Sequence, residues 1–367
     1  MTLKARDTDK FLILITLLLV SVGVVMVYST SSIMAMRRFW TEYFFVKKHL
    51  TYALAGVALF IVAMKVPYKV YYKLAYPALI IAVILLVCIY IPGLGVKAGG
   101  ARRWVKLGGL AFQPSEPAKL AVVFFLAYSL SSKAGRIKEF AAGFLPNIVI
   151  PGVVIGLIVL EPDLGTAVTV GSLVLVMMFA GGVRITHMLA LAAPAVAAAW
   201  FIIHRFSYMM TRITVFLDPW KDPEGKGFQI VQSFIAFGSG GLSGVGLGEG
   251  RQKLFFLPEA HTDFILSVIG EELGFMGVGA IIALYAMFLA CGVTIAMRAK
   301  DLHGQYLALG LTFMVVLQAA INMAVVMGLL PPKGLTLPFI SYGGTSLVVN
   351  MIAVGILLNI YIVENGA

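Results

Sequence analysis

FLILITLLLVSVGVVMVYSTSSIMA, residues 11–35, is a run of 25 residues with no charged side chain, preceded by Lys4, Arg6 and Lys10. A helix needs about 20 apolar residues to cross a bilayer, and a signal-peptide core has roughly 7–15. The run is therefore read as a retained first span. Similar runs follow, and ten spans are expected near 11–35, 49–66, 74–92, 117–132, 145–160, 166–182, 187–204, 265–297, 305–329 and 344–363. Lipid cannot satisfy a free backbone, so each should be helical. Composition agrees: 60% of the 367 residues are hydrophobic and 12% charged, against about 25% charged in soluble chains, and the mean hydropathy is +0.96. The expected fold class is an all-α polytopic membrane protein of about ten transmembrane helices, a single domain over 1–367. One large extracytoplasmic loop, 205–264, is expected between helices seven and eight. The eighth span should be broken near Glu271 to Gly274.

Both cysteines, Cys88 and Cys291, fall in apolar runs, which suggests no disulfide or metal framework. No internal repeat is visible. The net charge of +11 points, in a chain this apolar, to an anionic lipid surface or an anionic substrate rather than nucleic acid. With the N-terminus inside, the inner segments hold Lys4, Arg6, Lys10, Lys65, Lys69, Lys73, Lys133, Arg136, Lys138, Arg184, Arg298 and Lys300. The outer segments hold nearly as many basic residues, so the positive-inside rule decides narrowly. That outward charge suggests an anionic ligand handled outside, or ordinary solvated side chains.

The long loop carries Trp220, Phe228, Phe234, Phe237, Phe255 and Phe256, and should fold against the bundle. Its FQIVQSFIAF run reads as a helix. Its glycine stretch, GSGGLSGVGLGEG, reads either as an anion cradle or as a mobile segment, with Arg251, Gln252 and Lys253 directly after it. The loop ends in FLPEAHTDF, residues 256–264. Asp263 or Thr262 is placed to cap the next helix, because a helix N-terminus stabilises a carboxylate. In an extended segment Glu259, His261 and Asp263 would share one face and could hold a divalent ion. A magnesium ion bridging one carboxylate and a substrate phosphate suits them better than a protein-only site.

Charged residues at membrane depth are functional candidates by default. Glu116, Lys119, Glu161, Asp163, Glu271 and Glu272 qualify. Glu116 and Lys119 stand three apart on one helical face, as a possible ion pair. His187, His204 and His303 lie at span ends and read as interfacial residues. The connection GLLPPKGLTLPFISYGGTS, 328–346, with Lys333 and Ser341, describes a rigid re-entrant loop lining a cavity. Asn322, Asn350 and Asn359 on the flanking spans could bond such loops together.

QPSEPAKL, LEPDLGTA, GFQIVQS, FLPEAHTDFILSVIGEELG and PPKGLTLPFISYGGTS occur in this order over nearly the whole chain. Together they resemble the SEDS family of bacterial cell-wall polymerases, which includes FtsW, RodA and SpoVE, and the PPKGLTLP wording is similar to the FtsW and SpoVE branch. The resemblance implies a peptidoglycan glycosyltransferase acting on lipid II in the cytoplasmic (inner) membrane, with its active site on the extracytoplasmic face. It also implies a class B penicillin-binding protein and divisome proteins as partners, and Asp263 as the catalytic residue. For the pyrophosphate and substrate contacts the candidates are Arg212, Arg251, Lys253, Lys333, Lys119, Glu116 and Ser341, with Arg102 and Arg103 behind them. Glu259, His261 and Gln252 are expected in support. A divalent cation, Mg or Mn, is the one cofactor expected. The short N-terminal tail leaves little room for a further cytoplasmic partner site. A lipid II flippase is the rival reading.

Overall fold

The computed structural model describes residues 7–365 apart from 99–100, 108–109, 206 and 255–256. The basic residues Lys4 and Arg6 and the loop aromatics Phe255 and Phe256 lie outside the described residues. The helices are α1 (Thr8–Phe39), α2 (Phe44–Lys65), α3 (Lys69–Cys88), α4 (Ser115–Ser132), α5 (Leu145–Leu160), α6 (Leu164–Ala180), α7 (Ile185–Arg205), α8 (Ser207–Leu217), α9 (Phe228–Gly240), α10 (Ile265–Arg298), α11 (Leu302–Val326) and α12 (Gly344–Asn365).

Each of the ten expected spans falls on a helix. Among the described residues, seven have the length and apolarity to cross a membrane: α1, α2, α3, α5 with the turn before it, α10, α11 and α12. The chain is a multi-pass membrane protein. Two of the other expected spans deviate for visible reasons. α6 has 17 residues. α4 carries Glu116 and Lys119, which it can hold because it lies at the centre of the bundle. Only Pro117, Tyr128, Ser131 and Ser132 of its residues escape full burial. Protein rather than lipid surrounds that charge, which removes most of the expected cost.

One element was not foreseen. β1 (Gly95–Ala98), β2 (Ala101–Leu107) and β3 (Leu110–Phe112) form an antiparallel sheet in that order, between α3 and α4. The signal for it is legible: glycine pairs at 99–100 and 108–109 separate short β-branched and aromatic runs.

α10 is broken as expected. Gly274 adopts φ 65 and ψ −164 inside it, a conformation that glycine reaches without a Cβ penalty. A break frees backbone groups that lipid cannot satisfy. The glycine stretch satisfies them. Val245 and Gly246 donate to the Glu271 and Glu272 carbonyls at 3.0 and 3.1 Å, and Phe275 and Met276 donate to the Gly241 and Leu242 carbonyls at 2.9 and 3.1 Å. The glycines are needed for this close approach: a Cβ on Gly244 would stand 2.1 Å from the Glu272 carbonyl oxygen. The stretch is thus docked on the break, and its Val245 and Gly246 amides go to the Glu271 and Glu272 carbonyls instead of to an anion.

The bundle has two ends. α4, α6, α10 and α12 start at one end, beside Asp263, where α2 also begins with the Phe45 ring tilted against His261 at 4.9 Å. At the other end lie Lys65, Lys69, Ser132, Arg298 and Asp301.

Candidate functional site

Three turn and loop segments meet at the Asp263 end. Residues 259–264 form a turn: the Thr262 and Phe264 amides donate to the Glu259 carbonyl at 3.1 and 3.3 Å, and Glu259 has φ 56. The re-entrant connection clamps this turn. Ser341 Oγ donates to the Thr262 carbonyl at 2.6 Å, and the Tyr342 amide donates to the His261 carbonyl at 3.0 Å. Asn322 Nδ2, on α11, donates to the Asp263 carbonyl at 2.9 Å and to the Leu335 carbonyl at 2.6 Å. The asparagine expectation therefore holds for Asn322. Asn350 instead reaches Ser346 on its own helix, and Asn359 ties Tyr68 to Met64 at the far end.

The clamped turn presents the Asp263 carboxylate to a cavity of about 420 Å³. Its charged lining is Arg103 of β2, Glu116 of α4, Arg212 of α8, Glu259, Asp263 and Lys333. Gln113, Gln229, Thr336 and Ser346 add hydrogen-bonding groups. Gly334 leaves room for the carboxylate, since a Cβ there would stand 3.0 Å from Asp263 Oδ2 and 3.8 Å from Arg103 Nη1. The capping expectation fails. Phe264 is the N-cap of α10 and no side chain bonds the cap, while Thr262 Oγ1 donates to Glu259. Asp263 is left for the cavity.

Electrostatics set the proton affinity of this carboxylate. Burial, then Glu259 and Asp163, push Asp263 up to about 7, against the opposing pull of Arg103 and Arg212. A solvated aspartate has a pKa of ~3.9; the enclosure makes this one a better base. Burial, with Asp163 adding to it, also pushes Glu161 up to about 8, against Arg103. Lys333 is held below the usual lysine range, by burial first and then by Arg212.

The candidates separate clearly. Arg212, Lys333, Glu116 and Glu259 line the cavity with Asp263. Arg212 Nη1 also donates to the Pro332 carbonyl at 2.7 Å. Lys119 does not line it: it is buried, 2.8 Å from Glu116 Oε2, and donates to Gln318. Lys253 is buried elsewhere, donating to Glu272 at 2.7 Å, Ser29 at 3.0 Å and the Gly248 carbonyl at 2.6 Å. Gln252 is buried, and it and Arg251 give their backbone amides to Glu271. Ser341 acts as the clamp described above. His261 is buried between Phe45 and Tyr342 instead of sharing a face with Asp263. The turned backbone is why the one-face reading fails. Among the described residues, no group of three or more His, Cys, Asp and Glu is placed to hold a metal ion.

Sequence reasoning ranked Arg103 too low. Its Nε donates to the Glu161 carbonyl at 3.4 Å and its Nη2 to the Pro162 carbonyl, which anchors β2 to the α5–α6 connection. Without the hairpin its aim could not be read. Asp163, a functional candidate by depth, caps α6: Thr166 gives Oδ1 its amide at 3.1 Å and Oδ2 its hydroxyl at 2.8 Å.

The family model for FtsW, RodA and SpoVE, described as cell cycle protein, matches residues 9–365. A protein of Geobacter sulfurreducens named probable peptidoglycan glycosyltransferase FtsW is 47% identical over 361 residues, 98% of this chain and 97% of that one. The stage V sporulation protein E of Bacillus subtilis is 42% identical over 360 residues, 98% of each chain. Among solved structures, a chain from work on the structural coordination of polymerization and crosslinking by a peptidoglycan synthase complex superposes with TM-score 0.78 at 28% identity, covering 97% of this chain and 98% of that one. An aspartate-to-alanine mutant of the Thermus thermophilus rod shape determining protein RodA gives TM-score 0.71 at 26% identity, with 95% and 96% covered.

Proposed function

The chain belongs to the FtsW, RodA and SpoVE family of cell cycle proteins, and from that premise we propose that it polymerises lipid II into β-1,4 glycan strands for septal wall synthesis. The observation that carries the reading is one carboxylate, pushed up to about 7, facing a cavity that also holds Arg103, Arg212 and Lys333.

The acceptor GlcNAc C4 hydroxyl gives its proton to Asp263. Its oxygen attacks the anomeric carbon of the donor MurNAc, and the bond from that carbon to undecaprenyl pyrophosphate breaks. One displacement converts an α-linked donor to a β-linked product, so no covalent intermediate is needed. A base with a pKa near the working pH serves such a transfer best. Arg103, Arg212 and Lys333 offset the charge that develops on the leaving pyrophosphate, in a site partly closed to water. The clamp of Asn322, Ser341 and Tyr342 fixes the base, which converts binding into alignment. Lys119 and Glu116 brace the wall. Magnesium-type ions take one or two carboxylates plus substrate phosphates. Glu259, on the same cavity, is the carboxylate that would hold a Mg or Mn ion with the substrate phosphates, which would supply further charge neutralisation and leave Asp263 as the base.

The Asp263 end then faces the extracytoplasmic side of the bacterial inner membrane, with lipid II as substrate, and a class B penicillin-binding protein and divisome proteins as partners. Purified protein given lipid II, with and without the penicillin-binding partner and a chelator, tests the function. Glycan polymer is expected. Movement of lipid II between leaflets with no polymer under any of these conditions would favour the flippase instead.

A further inference from the structure

At the end of the bundle away from Asp263, a second cavity of about 450 Å³ is lined by Lys69, Tyr72, Ser131, Ser132, Asp301 and His303. The sequence reading left His303 as an interfacial residue, but it is 7% exposed. Neither ring nitrogen makes a hydrogen bond of ordinary geometry, although the Ala127 carbonyl lies beside the ring. Buried polar atoms in folded proteins nearly always have a partner. The ring is held by aromatic packing, with Tyr72 edge-on at 5.2 Å and Tyr68 stacked at 6.4 Å.

Asp301 is the acidic residue in the lining among the described residues; it caps α11 and shares the Tyr68 hydroxyl with Glu364. Oδ1 accepts the Gly304 amide at 2.6 Å and Oδ2 accepts the Tyr68 hydroxyl at 2.8 Å. Ser131 and Ser132 donate to carbonyls of their own helix. The groups left to meet a ligand are the exposed Lys69 ammonium on the first turn of α3, the Tyr72 ring and His303 on the first turn of α11. The α3 N-terminus favours an anion there, whereas Asp301 already occupies that of α11. Basic residues outnumber acidic ones at this end: Lys65, Lys73, Lys133, Lys138 and Arg298 stand there with Asp301 and Glu364, while Arg136 is paired with Glu139.

We propose that this cavity binds the phosphate of an anionic phospholipid headgroup. Lys69 meets the phosphate charge, His303 donates one hydrogen bond to a phosphate oxygen, and Tyr72 packs on the glycerol. Tyr and Lys at a span end occupy headgroup depth, and basic pockets between spans recognise anionic headgroups. The polymerisation reading does not bear on this site.

Native mass spectrometry of the full chain in detergent, with phosphatidylglycerol or phosphatidylcholine added, tests it. Phosphatidylglycerol should be retained and phosphatidylcholine should not. Lys69→Gln should lower phosphatidylglycerol retention about fivefold, the factor equivalent to the ~1 kcal/mol that one basic residue contributes at an anionic surface. His303→Phe should lower it as well. Lys138→Gln, at the same end but outside the cavity, should not. Lys69 is exposed, so its variant should keep the wild-type melting temperature even where His303→Phe does not. Undiminished retention by Lys69→Gln, or an equal loss with Lys138→Gln, would overturn the site. Displacement of the lipid by millimolar inorganic phosphate would overturn the lipid assignment in favour of a free-phosphate site.

Discussion

At Asp263 the carboxylate faces Arg103, Arg212 and Lys333 across one cavity, with Glu259 on the same wall. The position of Asp263 before an apolar run and its motif mark it in the sequence, but leave capping and ion-holding open beside the catalytic role that the resemblance implies. Burial beside Glu259 and Asp163 is a property of three segments that meet only on folding, and it moves the group to about 7. Polymerisation should therefore rise with pH through about 7, since only the ionised form accepts a proton; an initial-rate profile from pH 5.5 to 8.5 checks this. Stability should run the other way. A raised carboxylate pKa means that the folded state binds the proton more tightly, so this contribution declines between about 4 and 7 and levels off above. Asp263→Asn should accordingly melt no lower than wild type at pH 8, as measured by thermal unfolding in detergent. Arg103 shows the opposite failure of legibility: its side-chain type suggested anion contact, but its aim depends on a hairpin signalled only by two glycine pairs.

Among the elements, the helices were readable because apolar runs of membrane length admit only one backbone solution. The break in α10 was readable from Glu271 to Gly274. What satisfies the break was not, because Gly241–Gly246 and Gly274 lie some thirty residues apart. Lys253 and Glu272 were likewise read apart, one with the substrate contacts and one among the charged residues at membrane depth, and are in fact a single buried pair at 2.7 Å with Ser29. Removing one partner strands the other charge in a low dielectric. Lys253→Met should cost about 3–5 kcal/mol of stability, and adding Glu272→Gln should recover part of it. A double-mutant cycle on unfolding free energy measures this. A cycle in which the two losses simply add would contradict the pairing.

At the scale of the whole molecule, the sequence counted basic residues on both sides of the membrane and could not choose firmly between topologies. The fold sorts them by role. Arg103, Arg212 and Lys333 converge on one cavity, while Lys65, Lys69, Lys73, Lys133, Arg136, Lys138 and Arg298 gather at the opposite end. The proposed orientation is checked by labelling whole cells with a membrane-impermeant maleimide. Lys226→Cys, exposed near the Asp263 end, should react, and Lys138→Cys should react only after the membrane is opened; the reverse pattern would invert the topology. The central claim is that Asp263 is the base of glycan polymerisation. It is met most directly by comparing purified wild type and Asp263→Asn, each with the penicillin-binding partner, for polymer formed from lipid II. No polymer from a folded, lipid II-binding Asp263→Asn protein is the predicted result. Polymer at a rate near that of the wild type would contradict it.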